Sequence, residues 1–370
     1  MKYFDNWVVR GPFRSADLGV YRIIFGLAAL ALLPNAQFLA GYPSSFFAPP
    51  PGPLQRLSGI PPLGVLISLE IALALALAAV VFGVFTRTAS VVAGVLMVLT
   101  FGLTYSFGKI DHTIFLPLAA LLVVWAGWGR SYSIDSLKTR ADPDAPVSQW
   151  PLRLFALLIG VGFATAAIPK FLGGWLKPGT QATEGHYWYE TLIDDRNQAF
   201  APLFGHITSP IFWEPLDWVT VALEGGIILS VISWRSFRIM IALASVFHVG
   251  VLVMMNILFT TNVVAYAAFV PWGLVLVWLK RRGVHAPRLS ARAWTVVAAV
   301  GIPVLAIVAW ALAVGLPIEA RDGIKIVIIV IAGIVSACYL VFEILNLVRW
   351  IRGRSARRDS LRRREVAHAR

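Results

Sequence analysis

The stretch Ala167-Ile168-Pro169-Lys170-Phe171-Leu172-Gly173-Gly174-Trp175 closes an apolar run that begins near Leu152. About twenty apolar residues is the length an α-helix needs to cross a hydrocarbon layer of about 30 Å. Similar blocks recur at 18–40, 63–86, 88–107, 112–129, 216–234, 238–257, 261–279, 294–316 and 324–348. With the block at 151–170 they predict an all-α, polytopic transmembrane helix bundle of about ten spans. Composition agrees: 58% of residues are hydrophobic and 14% charged, more apolar surface than one soluble core of this length can hide. The blocks are too long and too evenly apolar for barrel strands.

Basic residues set the expected orientation, because positive charge gathers in cytoplasmic segments. One set of connecting segments holds Lys2, Arg10, Arg14, Arg87, Arg130, Lys138, Arg140, Arg153, Arg235, Arg238, Lys280, Arg281, Arg282, Arg288 and Arg292. The tail adds nine arginines from Arg349 on. The opposite set holds Arg56, Lys109, Lys170, Lys177, Arg196, Arg321 and Lys325. The expectation is N-in and C-in, in a plasma (bacterial inner) membrane. The chain then divides into a cytoplasmic segment 1–17, a membrane domain 18–280, additional membrane helices 281–348 and a basic cytoplasmic tail 349–370. The net charge of +13 comes mainly from that tail. Such tails touch anionic lipid, so membrane lipids are the expected partners and nucleic acid is not. No cleavable signal pattern opens the chain, since its first apolar block is long enough to remain as a span.

The single cysteine, Cys338, excludes a disulfide framework and a Cys-based metal site. The six histidines show no ligand spacing, so no metal is expected. Chemistry must come from other groups. Two long outer loops are expected. The loop at 41–62 is too rich in proline, Pro50 and Pro51 included, for continuous helix. The loop at 171–215 carries Trp175, Glu184, His186, Tyr187, Trp188, Tyr189, Glu190, Asp194, Asp195 and Arg196. Within it, 198–211 reads as an interfacial or re-entrant piece.

His112 opens one span and Lys170 closes the next, both at the expected outer end. Adjacent antiparallel spans would bring them to one depth, a base and an imidazole facing one outward cavity. The plainer reading is two interfacial side chains that snorkel to water. Glu224 and His248 sit mid-span, where ionisable groups face a bundle interior or a cavity. They read as a pair, Glu224 orienting the His248 ring, in either a catalytic role or a polar lock between helices. Arg22 reads as a topology anchor.

These residues resemble the HTTM family, the membrane domain of the vitamin K-dependent γ-glutamyl carboxylases. The similarity runs in order over roughly 15–275. Leu18-Gly19-Val20-Tyr21-Arg22-Ile23-Ile24-Phe25-Gly26 resembles the opening helix, and Gly83-Val84-Phe85-Thr86-Arg87-Thr88-Ala89-Ser90 a tight turn. Asp111-His112 followed by Tyr132-Ser133-Ile134-Asp135 matches the family's histidine and its Ser-x-Asp. Ile168, Lys170 and Trp175 match the lysine motif, and Phe247-His248 a later Phe-His. The resemblance implies a reduced quinone, of menaquinone or vitamin K type, oxidised by oxygen. Lys170 would be the base on the hydroquinone and His112 a supporting hydrogen-bond or acid–base residue. Trp175, Glu224 and His248 would flank the cofactor. A small or peptide substrate at the outer face would follow. Gly173-Gly174 replaces acidic residues that the animal enzymes have between lysine and tryptophan, and a large soluble substrate-binding region is not expected here. These departures speak against glutamate carboxylation of a protein, while the quinone-handling half of a carboxylase- or epoxidase-like activity stands without it.

Two further readings stand beside the enzyme. One is a non-catalytic membrane module: a partner subunit, an immunity or export accessory, or a lipid-binding scaffold. The other is a transporter, which calls for matched halves with broken helices, and no repeat halves are found. A shared cavity for Lys170 and His112 separates the enzyme from the module.

Overall fold

The structure is a computed structural model that describes residues 2–49, 52–107, 110–139, 142–284 and 290–368. Pro50, Pro51, Lys109, Arg140 and Arg288 fall outside them, as do the side chains of the arginine tail beyond Arg352. The described residues form helices and no sheet. In chain order these are α1 (Lys2–Val9), α2 (Ser15–Ala31), α3 (Leu63–Phe82), α4 (Thr86–Thr104), α5 (Phe115–Ala126), α6 (Ile134–Thr139) and α7 (Trp150–Leu172). There follow α8 (Ala182–Leu192), α9 (Ala201–Phe204), α10 (Pro210–Ser230), α11 (Trp234–Met255), α12 (Thr260–Tyr266), α13 (Trp272–Arg281), α14 (Ala291–Gly315) and α15 (Ile318–His368).

Among the described residues, six helices are long and apolar enough to cross a membrane: α3, α4, α7, α11, α14 and the part of α15 up to Arg352. A seventh results if the pair α12–α13, bent by 77°, is one span. The remaining expected spans differ from their sequence reading for local reasons. Helix α2 stops at Ala31 rather than at 40, because Pro34 disfavours helical backbone at Leu33. Helix α5 has only 12 residues, about 18 Å at about 1.5 Å per residue. Helix α10 starts at Pro210 rather than at 216, on a proline suited to a helix's first turn. It carries Glu214, Asp217 and Glu224. The expected span 261–279 breaks at Val270-Pro271, where the missing N–H ends the helix. The proline-rich loop forms short 3-10 turns at Gln37–Gly41, Ser44–Phe46 and Pro53–Arg56.

The apolar exterior fits a lipid solvent. Leu229, Ile232, Leu274 and Ile331 all point outward, which costs nothing where the surroundings are hydrocarbon. The buried core joins α2, α3, α4, α5, α7, α10, α11 and α12 around Phe25, Trp128, Phe155 and Phe237. Helices α14 and α15 lie against it, α14 on α3 and α15 on α11.

Buried ionic groups tie helix ends together. Arg22 is fully buried, so its reading as a topology anchor is overturned. Its Nη2 donates to the Tyr132 carbonyl at 2.5 Å, and the carbonyls of Val81, Trp128 and Ser131 lie 3.5 Å from its guanidinium. These are carbonyls at and beyond the ends of α3 and α5, which have no helical partner. Gly83 closes α3 at φ +66°, and a Cβ there would lie 2.5 Å from Arg22 Nη1 and 2.3 Å from Ser133 Cβ. Asp135 then accepts from the N–H groups of Phe85 and Thr86 at 3.1 and 2.7 Å, capping α4. The Gly83–Ser90 turn and the Ser-x-Asp motif thus belong to one scaffold. On α3, Glu70 is equally buried and accepts from Ala36 N at 2.5 Å, Gln37 Nε2 at 2.7 Å and Trp310 Nε1 of α14 at 3.2 Å.

Replacing Arg22 by Ala leaves this cradle of buried carbonyls unpaired, an expected cost of about 3 kcal/mol or more. Gly83→Ala adds left-handed strain of about 1–2 kcal/mol and the overlap with Arg22. Both variants are expected to unfold at lower temperature in detergent than Arg87→Ala, read by tryptophan fluorescence. A wild-type melting curve for Arg22→Ala would remove this role.

Candidate functional site

Helix α7 ends with Pro169-Lys170-Phe171-Leu172. The chain then turns through Gly173 and Gly174, the latter at φ +85°, a backbone that favours glycine. That turn folds Trp175 back, so that its N–H donates to the Lys170 carbonyl at 3.1 Å. Its ring lies 5.1 Å from Lys170 Nζ. The five-residue step from lysine to tryptophan is therefore a reversal that lays an aromatic face beside the ammonium. Of the two glycines, Gly174 is the one whose backbone lies in the left-handed region.

Across the bundle, Glu224 of α10 meets the same lysine, Nζ to Oε1 at 2.5 Å. Close packing of α7 on α10 allows this: Gly160 sits against Ile228, and a Cβ on it would lie 2.8 Å from the Ile228 Cα. Glu224 is buried, and its Oε2 has no hydrogen-bond partner. Lys170, Glu224 and Trp175 line a cavity of about 160 Å³ whose other walls include Leu216, Phe247, Val251, Met254 and Phe259. The cavity is apolar with a charged pair at one end.

His248 is placed elsewhere. It is buried on α11, with Nε2 3.1 Å from Tyr266 Oη and 3.5 Å from Asn262 Nδ2, both on α12. Phe259 stacks on it at 4.6 Å, so His248 lies behind the cavity wall. The expected Glu224–His248 pair is corrected: Glu224 goes to Lys170, and the tyrosine and asparagine orient the imidazole. His112 is also apart. It follows Asp111, whose Oδ1 caps a short 3-10 turn by accepting from Thr113 N at 2.8 Å. It lines a second, polar cavity of about 570 Å³ with Asp194, Asp195, Arg196, Arg321 and Lys325. Lys170 and His112 therefore do not share a cavity. Their cavities adjoin at Ile257, and the Phe259 ring of the first lies 5.0 Å from the His112 ring.

The part of the acidic and aromatic cluster from Glu184 to Glu190 folds as a helix rather than a loop. Asp217 of α10 accepts from Ala182 N, Thr183 N and Thr183 Oγ1 at 2.9, 2.7 and 2.5 Å, which starts α8. Helix α8 brings His186 to the cavity and Glu190 to Arg196 at 2.9 Å. The expected interfacial piece contains the short α9, with Phe200 and Leu203 exposed. Sequence reasoning passed over Asp217, Asn262 and Tyr266. An acid between Leu216 and Trp218 carried a signal. Asn262 and Tyr266, four residues apart on one helix face, carried a weaker one.

A family model, the HTTM domain, matches residues 11–276. The chain belongs to the HTTM family. Its HTTM domain spans α2 to α12 and the first half of the bent partner α13, and contains Lys170, Trp175, Glu224, His112 and His248; α14 and α15 lie beyond it. With its apolar helices this makes the protein a multi-pass membrane protein. No curated protein and no solved structure matches the chain. Among the described residues, no three His, Cys, Asp or Glu side chains converge on a metal position.

The pair predicts an asymmetry. Lys170→Met strands the Glu224 carboxylate inside the bundle, an expected cost of about 3 kcal/mol or more. Glu224→Gln leaves a lysine that is partly exposed and can reach water, an expected cost of about 1 kcal/mol. Lys170→Met with Glu224→Met recovers most of the loss. Thermal unfolding of the four proteins in one detergent checks this, and equal losses from the two single variants would refute it.

Proposed function

We propose that this HTTM protein is a plasma-membrane enzyme, with both termini cytoplasmic, in which Lys170 and Glu224 act together as the base on a reduced quinone. The observation that carries the reading is the pair itself, set at the end of an apolar cavity in the family's lysine motif. The residues fit an apolar ring with one acidic hydroxyl. Phe247, Val251, Met254 and Phe259 offer apolar walls, and the unpartnered Glu224 Oε2 offers an acceptor at the charged end. A menaquinol or vitamin K-type hydroquinone would supply that hydroxyl, its two hydroxyl hydrogens and four electrons for oxygen, two from the hydroquinone-to-quinone change and two from the ring double bond that becomes the epoxide, with one oxygen atom ending in that epoxide and the other in water.

The chain's own part is proton handling. Lys170 and Glu224 share one proton between two basic sites, so a further proton taken from a ligand turns a neutral pair into a singly charged one. Trp175 faces that charge with its ring and stabilises it. His112 works from the polar cavity next door, where a small or peptide substrate has room. It acts across the Phe259 wall and not on the same atom as Lys170.

One observation favours the non-catalytic module. Glu224 already neutralises Lys170, and the separation of Lys170 from His112 leaves a polar lock between α7 and α10 as a sufficient role. The test is turnover. Purified protein with reduced menaquinone is expected to consume oxygen and release quinone epoxide, detected by mass spectrometry. Lys170→Ala is expected to lower the rate by about 100-fold or more. A folded wild type that yields no epoxide would leave the lock as the better account.

A further inference from the structure

A second apolar cavity is larger than the one at Lys170. It measures about 310 Å³ and runs between α2, α11, the bent pair α12–α13 and α15. Along α15 its wall extends from Ile328 to Tyr339, about 16 Å at about 1.5 Å per residue. One charged residue lines it, Arg238, near the start of α11. Beyond it the wall is aliphatic or aromatic, apart from the hydroxyls of Ser245, Ser336, Tyr266 and Tyr339.

Arg238 is the unusual member. Its Nε and Nη2 are buried and have no hydrogen-bond partner. The carboxylates around it are engaged elsewhere. Glu343 accepts from Arg235 at 2.7 Å and from Tyr339 Oη at 3.0 Å. Asp17 accepts from Arg14 N and Gly273 N at 2.8 and 2.7 Å. Phe13 offers the guanidinium its ring at 5.0 Å but no acceptor atom. Buried guanidinium donors are costly when unmade, and the side chain that carries them lines a mostly apolar groove.

We propose that this groove binds an anionic phospholipid, with one acyl chain between α11 and α15 and the phosphate on Arg238. The planar guanidinium offers a phosphate two parallel donors. The groove's depth suits a chain entering from the head-group level. The basic segments predict that the Arg238 end is cytoplasmic, the leaflet where anionic lipid gathers. The site stands apart from the quinol reading: its ligand, its residues and its readout are different. Tyr266 lines this groove and also holds His248, so an occupied groove steadies the histidine from behind.

The experiment is lipid competition on the full-length protein. Wild type, Arg238→Gln, Arg238→Lys and Arg235→Gln are reconstituted in nanodiscs of phosphatidylglycerol and phosphatidylcholine, and retained lipid is counted by native mass spectrometry. Wild type is expected to retain one phosphatidylglycerol at least tenfold over phosphatidylcholine. Arg238→Gln loses that preference, Arg238→Lys keeps part of it, and Arg235→Gln keeps it whole. In wild type alone, phosphatidylglycerol with a diazirine in its acyl chain is expected to label α11 and α15 near Ile241 and Val335. Equal retention of the two lipids, a preference that survives Arg238→Gln, labelling confined to other helices, or displacement of the label by oleate and not by phosphatidylglycerol would each overturn the proposal.

Discussion

Hydrocarbon offers no hydrogen bonds, so each helix that stops, bends or turns inside this bundle must find partners for its open backbone within the chain. The buried ions answer that need. Arg22 gathers the carbonyls left by α3 and α5. Asp135 starts α4, and Asp217 starts α8. Asp17 holds the N–H of Gly273 just past the Pro271 break, and Glu70 holds the N–H of Ala36 where α2 has already ended. Arg153 donates to the carbonyl of Val231 at the end of α10 while lying over Trp234. Remove these contacts and the short helices, the bend and the turns lose their reason to stay in place.

Against that pattern the Lys170–Glu224 pair is a different kind of object. Both partners belong to long helices, and their side-chain bond is to each other and not to a backbone group. Glu224 keeps one oxygen unpartnered, and His248 keeps its Nδ1 so. Unpartnered buried polar atoms also occur elsewhere, at Arg153 and Arg238 among others, but Glu224 Oε2 is the one that belongs to a charged pair lining the Lys170 cavity.

Much of the bundle was legible in the sequence, because length and apolarity alone define a span. The long helices α3, α4, α7, α11 and α14 lie close to their expected positions. What failed depended on contacts far apart in sequence. The α8 helix needs Asp217, some 35 positions along the chain. Arg22 looked like an anchor because its partners, at Val81 and Tyr132, come from two other connections. At the site, Lys170 and Trp175 were readable from one short motif. The partner of Glu224 was not, since mid-span depth says that a charge needs company but not whose. The same depth rule that selects Glu224 also selects Glu70, which proved to be scaffold.

Glu70 carries one more implication. A membrane chain is inserted from its N-terminus as it is made, so α3 enters the lipid long before α14 exists. During that interval the Glu70 carboxylate has Ala36 and Gln37 for company, both synthesised earlier, while Trp310 is still to come. The first two contacts make the half-built protein tolerable, and the third latches a late helix onto an early one. The HTTM match ends at residue 276, yet the latch crosses that boundary. The C-terminal helices are thus the closing step of the domain's own assembly, and a chain cut before them would be left with an unfinished seam along α3.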